Sequence, residues 1–143
     1  MSAHPLLFLE ESRPAIVSAW ADTLHESNSL YATRPRDELL ATTGEAFDAN
    51  IAAIKEQDFE PLNDFIASIA GLRASMGFSE HEVVDAFRAF RKLGSDRLLE
   101  GLMDDEVEIE PVSDVLDAVC QVVDYAILRF SEIYYTTKAR QSA

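Results

Sequence analysis

Apolar residues recur at three- and four-residue steps along almost the whole of this chain, and the longest such run, from about Pro111 to Thr137, constrains the fold most. Val112, Leu116, Val119, Val123, Ala126, Phe130, Ile133 and Thr137 follow a four-three alternation that is sustained for about three and a half heptads. A stripe with that period lies along one side of an α-helix and on neither face of a strand. Such a helix is roughly 40 Å long at the α-helical rise, and its stripe needs cover. Cover comes from the core of the same domain, from the same stripe of a second copy, or from both, since Val115 and Val122 widen the face. On the second-copy reading the seam is Val112, Leu116, Val119, Val123, Phe130 and Ile133.

The rest of the chain repeats this character on a smaller scale. One helix is predicted from about Leu6 to His25, with Pro14 kinking or restarting it because proline lacks the N–H and clashes with the preceding turn. A second spans about Arg36 to Gln57, and a third about Glu60 to Met76, stopped by Gly77 in the manner of a C-terminal glycine. Ser79 followed by Glu82 is a capping box and opens a fourth helix that runs to about Leu102. Gly94 lies on the apolar face of that helix, where it weakens the helix and predicts close approach by a neighbour. No alternating strand pattern, hairpin turn, repeat or linker interrupts the series, so residues 1–143 read as one all-α domain of about five helices ending in a long one.

Charge narrows the choice of partners. The chain carries 26 acidic and 12 basic residues, a formal net charge of −14. A polyanion is repelled by phosphate backbones and anionic lipid headgroups, so neither nucleic acid nor a membrane surface is expected as a partner. No stretch approaches the roughly 20 apolar residues of a membrane span, and the N-terminus lacks the basic segment of a signal peptide. Cys120 is the single cysteine and sits among valines, which fits a buried thiol in a reduced, cytoplasmic setting. No basic residue lies close to it in sequence to activate it.

Catalytic signatures are missing. The chain has no glycine-rich phosphate loop, no Gly-x-Ser-x-Gly elbow, no His-Glu-x-x-His and no Cys-x-x-Cys, so a non-catalytic role without metal or cofactor is expected. His4, His25 and His81 are scattered and too few for a usual metal set. His81 and Asp85 stand one turn apart on a flank of their helix and read as a solvated pair, and the acidic connector 104–108 lacks the turn glycine of a calcium loop.

Arginine in unexpected places is the one chemical signal. Helical-wheel geometry puts Arg73 and Arg91 about 40° from the centres of their apolar faces, and a buried guanidinium needs a partner. One reading has these side chains snorkel to the edge or pair with an acid that spacing does not identify. The other has Arg73, Phe78, Phe87, Phe90 and Arg91 line a pocket or patch for a small anionic ligand or an acidic residue of a regulatory protein.

The run Leu72-Arg73-Ala74-Ser75-Met76-Gly77-Phe78-Ser79-Glu80-His81-Glu82-Val83-Val84-Asp85-Ala86-Phe87-Arg88-Ala89-Phe90-Arg91, together with Ile16-Val17-Ser18-Ala19-Trp20, resembles the N-terminal domain of RsbT co-antagonist proteins of the RsbRD type. The shared pattern is an arginine-bearing helix, a Gly-hydrophobic-Ser/Thr turn and a Glu-Val-containing helix with further arginines. The resemblance implies a helical sensory domain akin to the non-haem, globin-like modules of stressosome proteins, also found ahead of histidine kinases. Such domains are generally homodimeric and pass a signal through the last helix to an output domain, a STAS domain in the classical relatives. Here the sequence ends at Ala143 with no output domain, which puts direct control of a kinase cascade in doubt. The expectation is therefore a signal-sensing or regulatory docking domain, globin-like or bundle-like. A ligand-free structural adaptor of a larger cytoplasmic complex is the alternative.

Overall fold

The computed structural model describes residues 2–142, with side chains described from Ser2 to Arg140. Six α-helices follow one another: α1 (Pro5–Glu11), α2 (Arg13–His25), α3 (Arg36–Glu56), α4 (Glu60–Ser75), α5 (Glu80–Met103) and α6 (Val112–Ser142), with a 3-10 turn at Leu30–Thr33 between α2 and α3. No strand occurs among the described residues; the one β-type pairing is an isolated bridge between Ala3 and Val107. The fold is all-α with a long C-terminal helix, as the periodicity predicts.

The first predicted helix is two. Ser12 closes α1 and serves as the cap of α2, with Pro14 inside the first turn of α2, where a missing N–H costs nothing. Its hydroxyl donates to the Phe8 carbonyl at 2.7 Å and accepts from Arg97 Nε at 3.0 Å, so the break is held by side-chain bonds. The capping box at α5 is present as read. The Ser79 hydroxyl accepts from the Glu82 N–H at 3.2 Å, and the Glu82 carboxylate accepts from the Ser79 N–H at 2.9 Å. At the end of α4, Gly77 takes φ +83°, a left-handed conformation open to glycine, and the Phe78 N–H returns to the Arg73 carbonyl at 3.0 Å.

Helix α6 packs against α1, α3, α4 and α5, which makes it the central helix of the domain. Val119, Val123, Ala126 and Phe130 are essentially inaccessible, and burying a side chain such as Phe130 contributes about 1.5–3 kcal/mol. An aromatic group formed by Trp20, Phe47 and Phe90 ties α2, α3 and α5, with Phe90 5.3 Å from Trp20 and 6.0 Å from Phe47 between ring centroids. The Trp20 indole N–H donates to the Ala86 carbonyl at 3.0 Å, so the buried indole leaves no orphan donor.

Gly94 departs from expectation. It is buried, yet a Cβ built there meets nothing within 4 Å, so no neighbouring helix approaches it closely. The tight approach is two turns further along α5, at Gly101, where a Cβ would stand 2.5 Å from Val107 and 2.9 Å from the Phe8 ring. Gly101 lets the connector and α1 close over the end of α5.

Candidate functional site

Arg73 lies in the last turn of α4, on the side that faces the interior, and none of its surface is exposed. Three elements enclose it. The 3-10 turn brings Tyr31 to one side, with the guanidinium carbon 5.1 Å from the ring centroid, and the Gly77 turn folds Phe78 back to 5.0 Å. The two rings meet edge to face at 4.7 Å. Nη1 lies 3.6 Å from Glu38 Oε1 on α3 and 3.5 Å from the Met76 sulfur. Glu38 is the acid that sequence spacing does not identify. It also holds Arg34 at 2.7 Å, so its charge is shared.

The guanidinium is incompletely paired. Nε and Nη2 of Arg73 are buried and have no hydrogen-bond partner among the described residues. Each unsatisfied donor group costs about 1–3 kcal/mol, while two desolvated aromatic faces return roughly 2 kcal/mol apiece. Cation–π contact with the two rings thus accompanies the bonds that Nη1 makes to Glu38 and Met76. Burial pushes the Tyr31 phenol up to about 12, against the opposing pull of Arg73.

Two links run outward from this cluster. The Tyr134 hydroxyl on α6 donates to the Phe78 carbonyl, so the loop that covers Arg73 is bonded to the central helix. On the other side, Glu82 accepts from the Leu30 N–H at 2.6 Å while capping α5. Partial burial raises the Glu82 carboxyl, but the bonds from Leu30 and Ser79 and the nearby His81 outweigh it and lower the net value. The 3-10 turn is thus fastened to the head of α5.

The other residues marked by sequence do not join Arg73. Arg91 is partly exposed and pairs with Asp124 at 3.4 Å. Phe87 packs against Phe130 with the rings tilted and lines a small apolar cavity, and Phe90 belongs to the tryptophan cluster. Of the five, Arg73 and Phe78 alone share a site. Tyr31, Glu38 and Tyr134 complete it; only a tertiary contact could find them, because they lie 42, 35 and 61 residues from Arg73 in sequence. Arg91 instead lines a surface groove with Arg88, Lys92 and Cys120, so the fold brings to this thiol the basic residues that its sequence neighbours lack.

The stripe read as a second-copy seam faces inward. Val112, Val119, Val123 and Phe130 are buried within the chain, and Leu116 and Ile133 are half-buried. Along α6 the large apolar residues turned outward are Leu128 and Tyr135, each 67% exposed. No described helix is long and apolar enough to cross a membrane.

A family model described as the RsbT co-antagonist protein rsbRD N-terminal domain matches residues 14–143. No curated protein and no solved structure matches the chain. The match takes in α2 to α6, and with them Tyr31, Arg73, Phe78 and Tyr134. It therefore covers the whole cluster and leaves out only the segment before Pro14. The chain belongs to the family of RsbT co-antagonist protein rsbRD N-terminal domains, regulatory domains of the stressosome type.

Proposed function

We propose that this domain is a non-catalytic signal sensor that couples the state of the Arg73 cluster to α6, and that α6 passes it on through a homodimer. The observation that carries this reading is the continuous contact path from the 3-10 turn to the central helix. Tyr31 and Phe78 enclose Arg73, and the Phe78 carbonyl is bonded to Tyr134 on α6. A guanidinium with two nitrogens unpaired among the described residues suits a responsive centre, since a small anion or an acidic side chain of a regulatory protein reaching it gains charge-assisted bonds. Phe87 and Phe90 lie in the core without contacting that centre, and Arg91 stands apart at the surface.

Leu128 and Tyr135 lie one heptad apart on the outward face of α6, and an inward stripe with two outward apolar residues suits a helix that serves its own core and a second copy. A cytoplasmic regulatory role fits the acidic composition and the family. Native mass spectrometry of the gently purified chain tests the reading. A dimer that becomes monomeric when Leu128→Glu and Tyr135→Glu are combined supports transmission through α6. A parent chain that is monomeric at tens of micromolar removes it. Hydrogen exchange tests the coupling in the same samples. In a Tyr134→Phe variant, Arg73→Met should alter the exchange of α6 less than it does in the parent, and an equal effect in both backgrounds would rule out the Phe78–Tyr134 link.

A further inference from the structure

We propose that the 3-10 segment Leu30–Thr33 is a lid on Arg73, latched by Glu82, and that its release opens the guanidinium to the carboxylate of a small organic acid. The inference rests on the reading of the Arg73 cluster as the responsive centre, and it names the ligand class and the way in.

The ligand class follows from which atoms of Arg73 are unpaired. Nε and Nη2, both buried, make no hydrogen bond among the described residues, while Nη1 is engaged by Glu38 and Met76. The N–H groups of Nε and Nη2 lie along one edge of the guanidinium plane, and such an edge is a fork that takes both oxygens of a carboxylate. The same chain shows the fork in use. Arg13 holds Asp48 through these two atoms, Nε at 2.8 Å and Nη2 at 3.0 Å. Charge balance agrees. Glu38 faces both Arg34 and Arg73, so two guanidinium groups share one carboxylate, and a second carboxylate makes the count even. A divalent anion overshoots it on a chain whose net charge is −14.

The way in is set by how firmly each cover is held, because Arg73 itself has no exposed surface. Of the two rings over the guanidinium, Phe78 belongs to the turn that is bonded to α6 through Tyr134. Tyr31 is held less firmly. It is the one buried residue between Glu26 and Arg36. The hydrogen bonds of Ser29 to Thr33 are local with a single exception among the described residues, the Leu30 N–H to Glu82 at 2.6 Å. A segment fixed by one side chain and one hydrogen bond opens at lower cost than the body of a fold. Tyr31 also lines a groove of about 360 Å³ bordered by the end of α2, residues 27–29 and the start of α5, which leaves room beside the ring.

The test is NMR of the full chain, following the Arg73 Nε–H resonance during titration with sodium propionate. Propionamide serves as the neutral isostere and sodium chloride matches the ionic strength. Propionate should move the Arg73 signal and propionamide should not. Leu30→Pro removes the latching N–H and little else, because the first residue of a 3-10 turn has a φ that suits proline. Ser29 before it is already extended, as a residue preceding proline prefers. Leu30→Ala removes the same side chain and keeps the N–H. The proline variant should bind propionate about tenfold more tightly than the alanine variant, since a weaker latch raises the fraction of open chains. Hydrogen exchange at Tyr31 and Ala32 should quicken by a similar factor. If Leu30→Pro fails to fold, Glu82→Gln keeps a capping side chain and gives up the charge of the latch, and it should tighten binding about threefold over the parent. An equal response in the proline and alanine variants, or in Glu82→Gln and the parent, overturns the lid and leaves the Arg73 reading standing. An Arg73 signal that ignores propionate in every variant overturns both.

Discussion

Arg73 shows how one residue takes its chemistry from tertiary neighbours. Its angle on α4 marks it as a candidate for burial, as the same angle does Arg91, but Tyr31, Phe78 and Glu38 decide that it is buried and what its charge does there. Removing it leaves no orphan, because Glu38 keeps Arg34 as its partner. Replacement of an incompletely paired buried ion by an apolar residue of similar length is often neutral or stabilising. Arg73→Met should accordingly unfold at the same or higher denaturant concentration, with a change between zero and about +2 kcal/mol. A loss above about 2 kcal/mol would show that the aromatic contacts outweigh the unsatisfied nitrogens. Tyr31 supplies a second test. Its folded pKa, about 12, lies above the ordinary 10.0, so the folded state holds the proton more tightly than the unfolded one. Its contribution is fully present below pH 10 and is lost as the pH rises from 10 to 12, to the extent of roughly 2–3 kcal/mol. Tyr31→Phe should flatten that part of the alkaline stability profile, and an unchanged slope would remove Tyr31 as its source.

The helices are legible from local rules where those rules are satisfied by residues close in sequence. The Ser79–Glu82 box, the glycine after α4 and the limits of α3, α4 and α5 are all such cases. The split between α1 and α2 is half legible. Pro14 announces a restart, but the break is held by Ser12 bonding to Phe8 and to Arg97, a residue of α5. The glycines of α5 separate local from tertiary causes most clearly. Gly94 is buried with open space around it, whereas Gly101 is pressed by Val107 and Phe8. Gly94→Ala should therefore stabilise the chain by about 0.5–1 kcal/mol through helix propensity alone. Gly101→Ala should destabilise it by about 1–3 kcal/mol, because its methyl group overpacks a β-branched side chain and a ring. Thermal or chemical unfolding of the two variants checks both signs, and equal effects would contradict the difference in packing.

At the scale of the whole molecule the excess of acid is a stability term as well as a guide to partners. A net charge of −14 repels itself in the compact state, and salt screens that repulsion over a Debye length of about 10 Å at 0.1 M. The melting temperature should rise on going from about 10 mM to 300 mM sodium chloride. A fall would mean that the surface ion pairs, such as Arg13–Asp48 and Lys92–Asp96, contribute more than the self-repulsion costs. Period, capping and composition determined by themselves that the chain is all-α, where most helices start and stop, and that α6 is long and amphipathic. These depend on residues within a few turns of one another, where helix geometry sets the neighbours. Only the tertiary structure decided that the α6 stripe is the core of its own chain, that Arg73 lies between Tyr31 and Phe78 with Glu38 beside it, and that Arg91 stands apart. A heptad stripe reads the same whether its cover is α4 and α5 or a second copy, and a buried charge finds its partners across distances in sequence that no local periodicity spans.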